Sequence, residues 1–309
     1  LLSGPVSAND LSMTAVKDTL ASIPGEHNYI YVRTPLGEDE EKNYDEITFY
    51  DGLGRELDFA QSYGADRAGA IMAHHHLIEY DSLGRKEKQW LSTNTSFSYM
   101  SPEDLKGGVL WDYHDAGKRS YLQTNYESSP LNRITEQYGV GDAWGDHPAR
   151  MEYLTNIPAD SLRCSFYFID DNDSLIRRGD YRSGELQVTK ATDEDGKPTY
   201  TFVDKQGRTL LTRLGRGNQQ ADTYFVFDRF GRIRYVLPPM INDEISAGNL
   251  DLYAYQYLYD SFGRCISKKL PGCAAIGYVY DKADRVILSQ NGNQSQKKEW
   301  TFTFYDNQG

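Results

Sequence analysis

Residues 50–55 read Tyr50-Asp51-Gly52-Leu53-Gly54-Arg55, and related stretches recur along the chain. The clear copies begin at Tyr80, Val203, Phe227, Tyr259, Tyr280 and Tyr305. Each has the form aromatic-Asp-x-x-Gly-Arg, with three departures: Val203 replaces the aromatic residue, Asp284 replaces the glycine, and the last copy ends at Gly309. A motif that recurs this often indicates a repeated structural unit.

The motif predicts the tip of a β-hairpin. Asp favours the first position of a type I turn, and a glycine three residues later supplies the positive φ of a following bulge. In this geometry Asp51 faces Arg55 across the hairpin, and because side chains alternate along a strand, the preceding aromatic points to the opposite face. Asp284 fits the same turn, since aspartate tolerates a left-handed conformation. The predicted structural turn residues are Asp51, Gly54, Arg55, Asp81, Gly84, Arg85, Asp204, Gly207, Arg208, Asp228, Gly231, Arg232, Asp260, Gly263, Arg264, Asp281, Asp284 and Arg285.

Composition agrees with a β-rich chain. Among 309 residues there are 24 Tyr and 27 Gly, which suit strands and turns. The 45 acidic residues against 33 basic ones give a net charge of −12, which disfavours nucleic-acid binding and insertion into anionic membranes. Cys164, Cys265 and Cys273 are too few for a disulfide framework, and we expect free, partly buried thiols.

The spacing of the turns predicts the architecture. From Asp204 onward, successive turn aspartates lie 21 to 32 residues apart, the range of a repetitive array in which each hairpin buries its apolar face against its neighbour. We therefore predict a mainly all-β fold, a curved antiparallel meander of hairpins over residues 29–309, with an irregular insertion at about 95–160. Ser101-Pro102-Glu103-Asp104 predicts a short helix inside that insertion.

Residues 1–28 differ in composition from the repeats. Asn9-Asp10 could begin a short helix that ends before Pro24-Gly25, and a loosely attached leader is the alternative. Because the chain begins at Leu1 and stops inside a copy of its own repeat, we expect it to be a fragment of a longer protein.

The repeated Tyr-Asp-x-x-Gly-Arg stretches resemble the YD repeats of the RHS family. Segments 29–35, 129–133 and 269–273 also resemble the uncharacterised N-terminal domain of RHS-like proteins from gut Gram-negative bacteria. The resemblance implies a secreted or cell-surface location, a β shell that encloses a toxic domain, and, as partners, the remaining repeats of the full-length chain. The self-cleaving core segment and the toxic domain of that family are not recognisable in these residues.

Candidate chemical sites have simpler explanations. His74, His75 and His76 invite a metal hypothesis, but only His74 and His76 share a face of a strand. The acidic runs 170–173 and 193–196 could bind Ca²⁺, although such runs also make turns. Glycosidase-like carboxylate pairs are conceivable, yet the salient acids are already used in turns. We therefore predict no catalytic residues, no cofactor and no metal.

Exposed aromatic residues offer an alternative function. Trp111 and Trp144 could stack on sugars or on a protein partner, and the tyrosines at 253, 255, 257 and 259 alternate as on one face of a strand. We expect that tyrosine ladder to pack within the sheet. The two hypotheses are a non-enzymatic structural module of a large RHS-like protein and a carbohydrate- or protein-binding surface module.

Overall fold

A computed structural model of the 309-residue chain describes residues 23, 25, 27–35, 43–65, 71–215, 220–241 and 244–306. The expected N-terminal leader lies almost entirely outside these residues, as does the end of the last turn copy. The chain divides into two compact units, residues 1–150 and 151–309.

The first unit consists of antiparallel strands and one α-helix. The strands are β1 (Asn28–Pro35), β2 (Asn43–Tyr50), β3 (Glu56–Ala65), β4 (Ile71–Tyr80), β5 (Lys86–Trp90), β6 (Thr93–Ser96), β7 (Tyr121–Tyr126) and β8 (Ile134–Tyr138), and the helix is α1 (Pro102–Asp112). Strands β1 to β4 pair in chain order. The first half of β4 pairs with β6 and its second half pairs with β5. β5 also pairs with β7, and β7 pairs with β8.

The second unit is built mainly from a long meander. The boundary falls within β9 (Ala149–Thr155), and the remaining strands are β10 (Ser165–Ile169), β11 (Leu175–Asp180), β12 (Gln187–Thr192), β13 (Pro198–Val203), β14 (Thr209–Leu214), β15 (Ala221–Phe227), β16 (Ile233–Leu237), β17 (Tyr255–Tyr259), β18 (Cys265–Lys269), β19 (Ile276–Tyr280), β20 (Val286–Gln290) and β21 (Thr301–Phe302). Strands β12 to β21 pair antiparallel in chain order, while β10 and β11 form a separate two-stranded sheet. The predicted all-β meander is confirmed.

Each unit has its own apolar core. In the first, Ile47 and Phe49 of β2 pack with Ala60, Ala73 and Phe97, all essentially inaccessible to solvent. In the second, the core includes side chains from several successive strands: Val188, Phe202, Leu211, Val226 and Leu237. The alternation of buried and partly exposed residues along β2 and β13 is the period-2 pattern of a sheet with one packed face.

Helix α1 begins where the sequence predicts. The Ser101 hydroxyl accepts a hydrogen bond from the Asp104 amide, and Pro102 occupies the first helical turn. Gly108 is needed for packing, because a Cβ atom there would lie 2.7 Å from the Thr93 hydroxyl oxygen of β6. The expected insertion at 95–160 thus contains this helix and also an ordered hairpin, β7–β8.

Two short helices in the second unit were not predicted: α2 (Ala247–Tyr253) and α3 (Gly292–Lys297). The expected tyrosine strand from residue 253 is therefore wrong at its start. The Ser246 hydroxyl caps α2 at the Asn249 amide, so Tyr253 ends a helix and only Tyr255, Tyr257 and Tyr259 belong to a strand. None of the described helices is long and apolar enough to cross a membrane.

The three cysteine thiols are free, as expected. Cys164 is buried in the core of the second unit, and burial raises the pKa of its thiol to about 12. Cys273, by contrast, is exposed.

Candidate functional site: the arginine clamp between hairpins

The first turn copy shows how the motif shapes a hairpin tip. The Asp51 amide donates to the Arg55 carbonyl at 2.9 Å, and the Gly54 amide donates to the Asp51 carbonyl at 3.0 Å. One carboxylate oxygen of Asp51 accepts hydrogen bonds from the backbone amides of Leu53 and Arg55. The other accepts a hydrogen bond from Arg55 Nε at 2.6 Å. The Asp51 carboxylate thus stabilises both the reversal of the chain and the position of the Arg55 side chain.

The same hydrogen bonds recur in the copies at Asp81, Asp204, Asp228, Asp260 and Asp281. The turn glycines have φ between 76° and 87°, and Asp284 takes their place with φ 60°, which is the predicted left-handed conformation. The Arg55 backbone amide, followed by the guanidinium, holds the pKa of the Asp51 carboxyl below its usual value.

Each arginine of the turn also contacts an aromatic ring of the next hairpin. The guanidinium carbon of Arg55 lies 4.5 Å from the centre of the Tyr80 ring, which belongs to the following hairpin. Equivalent contacts join Arg85 to Tyr126, Arg208 to Phe227, Arg232 to Tyr259, Arg264 to Tyr280 and Arg285 to Tyr305, all at 4.7 to 5.1 Å. At this distance a guanidinium is attracted by the face of the ring.

The tyrosine hydroxyls complete the contact between hairpins. Tyr80 donates to the carbonyl of Glu56, the residue that follows Arg55, at 2.7 Å. The same bond is made by Tyr126 to Lys86, Tyr259 to Ile233, Tyr280 to Cys265 and Tyr305 to Val286. We call the arginine, the next aromatic ring and this hydrogen bond the arginine clamp.

The clamp adds a contact that the sequence did not predict, because each arginine lies over the aromatic ring of the following hairpin. In the six copies that begin at Tyr50, Tyr80, Val203, Phe227, Tyr259 and Tyr280, the strand pairing shifts by one residue at the first motif position, as between Phe49 and Tyr50 or between Glu79 and Tyr80. Such an irregularity in register interrupts simple alternation and increases local twist.

One hairpin carries a modified motif and receives the clamp from Arg85 at its Tyr126. Between β7 and β8 the Asp is replaced by Glu127, which accepts two hydrogen bonds from the Arg133 guanidinium at 2.8 and 2.7 Å. Asn132 supplies the positive φ of 53° in place of glycine. The hydrogen bonds from Arg133 and Ser129 lower the pKa of Glu127 to about 2. The turn at 126–133 is thus a longer form of the motif, with six residues from the acid to the arginine where the first copy has four.

The two candidate tryptophans lie apart from the clamp residues. Trp111, near the end of α1, is 83% exposed, whereas Trp144 is 46% exposed and packs against Gly139. Lys118 and Arg119 donate their backbone amides to the carboxylate of Asp142, which fixes the loop before Trp144. The Gly-rich loop is therefore an ordered structure with one partly exposed ring.

The three successive histidines of β4 lie in different surroundings. His75 of β4 is buried, with Nδ1 2.6 Å from a carboxylate oxygen of Asp58 and Nε2 2.9 Å from the Ser96 carbonyl oxygen. His74 stacks on Tyr63, and His76 lies near Phe59. The residue that sequence reasoning set aside, His75, is thus the one with a buried polar partner.

The acidic runs 170–173 and 193–196 form turns of the same kind as the motif. The Asp170 amide donates a hydrogen bond to the Ser174 carbonyl, and the Asp193 amide donates one to the Lys197 carbonyl. Across the described part of the chain, no group of three or more His, Cys, Asp or Glu side chains is arranged to hold a metal ion.

Comparison with known proteins adds a family match and a fold match. Residues 28–155 match the model of a family described as Domain of unknown function (DUF6443). No curated protein matches the chain. Among solved structures, the crystal structures of TcdB2-TccC3-Cdc42 and TcdB2-TccC3 are similar to 86% of this chain, with TM-scores of 0.55 and 0.54 and identities of 14% and 13%.

A third similar structure is the Photorhabdus luminescens Tc holotoxin pore, with a TM-score of 0.54, 12% identity and 86% of this chain covered. In all three cases this chain spans only 12% of the length of the matched chain. At these identities the likeness concerns the fold.

Proposed function

We propose that this chain is a non-enzymatic structural module that forms part of a β-sheet shell or scaffold in a large RHS-like secreted or surface protein. The observation that carries the proposal is the arginine clamp. Tyr, Asp and Arg resemble a repeated catalytic trio, but the Asp is used within its own turn and the Arg and Tyr are used between neighbouring hairpins.

The clamp is better explained as a structural contact within a sheet than as part of an active site. An isolated hairpin is marginally stable in water, so an extended meander depends on contacts between successive hairpins. The clamp supplies such a contact at the hairpin tips, where the backbone ladder ends. The fold shared with the TcdB2-TccC3 structures supports a scaffold role.

The proposal is tested by cryo-EM of the natural protein that carries this sequence. We expect strands β12–β21 to lie within a continuous sheet that encloses a chamber and pairs with further repeats of the same chain. A reconstruction in which residues 151–309 form a separate appendage would contradict the proposal. So would turnover of a glycan or peptide substrate by the purified chain that a single substitution abolishes.

A second candidate function is binding of a glycan or protein surface, favoured by the exposure of Trp111. A ring that is 83% exposed contributes little to the fold, and such a ring can stack on a sugar. A glycan array with the wild-type chain, Trp111→Ala and Trp144→Ala tests this function. Trp300→Ala, at a residue that is 47% exposed in the second unit, is the matched control. Binding that survives both test substitutions would count against the aromatic site.

A further inference from the structure

A buried polar pair lies on the core face of the sheet in the first unit. Asp58 of β3 and His75 of β4 share this face with the buried side chains of Phe49 and Leu77. Nδ1 of His75 is 2.6 Å from a carboxylate oxygen of Asp58, and its Nε2 is 2.9 Å from the carbonyl oxygen of Ser96 in β6. The imidazole ring therefore joins three strands.

Both ring nitrogens of His75 face hydrogen-bond acceptors. A carbonyl oxygen cannot donate, so Nε2 carries a proton and donates it to Ser96. In a neutral imidazole Nδ1 then holds a lone pair, which would lie 2.6 Å from the carboxylate of Asp58. That contact is a hydrogen bond only when one more proton sits between Nδ1 and the carboxyl group. The pair therefore holds two protons, whichever of the two groups carries the second.

The second proton also neutralises a buried charge. The other carboxylate oxygen of Asp58 is buried, and no hydrogen-bond partner reaches it within the described residues. Among those residues, no cation besides His75 lies at ion-pair distance from Asp58. A buried carboxylate without a partner is costly. The folded unit therefore favours the state in which the pair keeps this proton.

Neighbouring elements carry other titratable and charged groups. These are Glu56 and Tyr63 of β3, His74, His76 and Glu79 of β4, Lys88 of β5, Tyr99 after β6, and Glu103, Lys106 and Asp112 of α1. Burial raises the pKa of Tyr99 and lowers the pKa of His76, so both side chains are uncharged between pH 7 and 8. Glu79 pairs with Lys106, and the Asp112 carboxylate accepts a hydrogen bond from a threonine hydroxyl of β6.

We propose that the His75–Asp58 pair is a pH-sensitive latch, which fastens β6 to the sheet near neutral pH and weakens as the pH rises. In the unfolded chain a histidine releases its proton above about pH 6.5. The folded chain then binds one more proton than the unfolded chain, so its stability falls with rising pH. The contribution is complete between about pH 4 and 6.5, where the unfolded chain also has a protonated histidine and an ionised aspartate.

The latch holds the end of β6 and the core residue beside it. Phe97 directly follows Ser96, is fully buried and donates its backbone amide to the carbonyl of Ile71 in β4 at 2.8 Å. Loss of the shared proton sets the Nδ1 lone pair of His75 against the carboxylate of Asp58. We therefore expect the amides of β4 and of residues 93–97 to report the opening of the latch.

The test is hydrogen exchange on the 309-residue chain at pH 7 and pH 8, corrected for the intrinsic pH dependence of amide exchange. Protection in β4 and residues 93–97 should fall about five- to tenfold between these pH values, because one linked proton changes the unfolding equilibrium up to tenfold per pH unit. Protection in β13 of the second unit is the internal control and should change less than about twofold. Constant protection in β4 and residues 93–97 would overturn the proposal.

Asp58→Asn is the matched variant. Its side-chain amide can donate an N–H to Nδ1 while Nε2 still donates to Ser96, so a neutral His75 makes both hydrogen bonds. The change in protection between pH 7 and 8 should shrink to less than about twofold. His76→Gln, at an exposed position of the same strand, should keep the wild-type pH dependence. Wild-type dependence in Asp58→Asn, or its loss in His76→Gln, would refute the latch, and the wild-type measurement stands even if a variant does not fold.

Discussion

The guanidinium of Arg55 lies 4.5 Å from the ring of Tyr80, and the Tyr80 hydroxyl donates to the carbonyl of the residue that follows Arg55. The two residues belong to successive copies of one motif. Because the same pair of contacts recurs between later copies, the turn that reverses the chain also fixes the next hairpin against it.

Removing one clamp hydroxyl should weaken the first unit. Tyr80→Phe keeps the ring over Arg55 but loses the hydrogen bond to the Glu56 carbonyl, which is worth about 0.5–1.5 kcal/mol of the free energy of unfolding. Urea denaturation followed by tyrosine fluorescence measures the loss.

The chain offers the reverse substitution as a control. Phe227 occupies the clamp position over Arg208 without a hydroxyl. Phe227→Tyr should therefore leave the free energy of unfolding of the second unit unchanged or raise it by up to about 1 kcal/mol. A loss for Phe227→Tyr as large as that for Tyr80→Phe would contradict the role assigned to the hydroxyl.

Glycine is required in the turn by its backbone conformation. Gly207 has φ 79°, and a Cβ atom there would meet nothing within 4 Å, so Gly207→Ala isolates the cost of the left-handed conformation. We expect a loss of about 1–2 kcal/mol in the free energy of unfolding. Gly248→Ala is the matched control, because Gly248 is helical and equally open. That variant should gain up to about 1 kcal/mol, and equal effects of the two would rule out backbone strain.

The buried pair of His75 and Asp58 should be costly to break. The two side chains are 0% and 5% exposed and 2.6 Å apart. His75→Leu leaves the Asp58 carboxylate buried without its partner, for which we expect a loss of about 3–5 kcal/mol in the free energy of unfolding. Adding Asp58→Asn to His75→Leu should recover part of it, and His76→Gln at an exposed position should change little. If His76→Gln is as harmful as His75→Leu, the pair is not the cause.

Stability should fall in acid through the turn carboxylates. The pKa of Glu127 is lowered to about 2 from a usual 4.5, chiefly by the side-chain hydrogen bond from Arg133. A carboxyl whose folded-state pKa is depressed contributes stability above pH 4.5, and that contribution is lost as pH falls toward 2. Urea midpoints at several pH values should drop over this window, and Glu127→Gln should make the drop shallower. An unchanged slope in the variant would show that Glu127 is not one of the groups responsible.

Much of the fold could be predicted because its signals are local. Asp at the start of a turn, Gly at its end and Ser101 before Pro102 act through their own backbone, so hairpin tips and helix α1 were placed correctly. The short helices α2 and α3 were missed. Their capping residues, Ser246 and Asn291, are visible in the sequence, but each is followed by too few residues for an amphipathic pattern to develop.

Sequence alone determined that the chain is an array of antiparallel hairpins and where most of them turn, since turn chemistry depends on neighbouring residues. Only the tertiary structure decided which ring each arginine contacts, because that contact joins strands of different hairpins. It likewise decided that His75 faces Asp58 and that β10–β11 leaves the meander to form a separate sheet. These relationships arise from packing between distant segments, whose spacing in the sequence varies from one hairpin to the next.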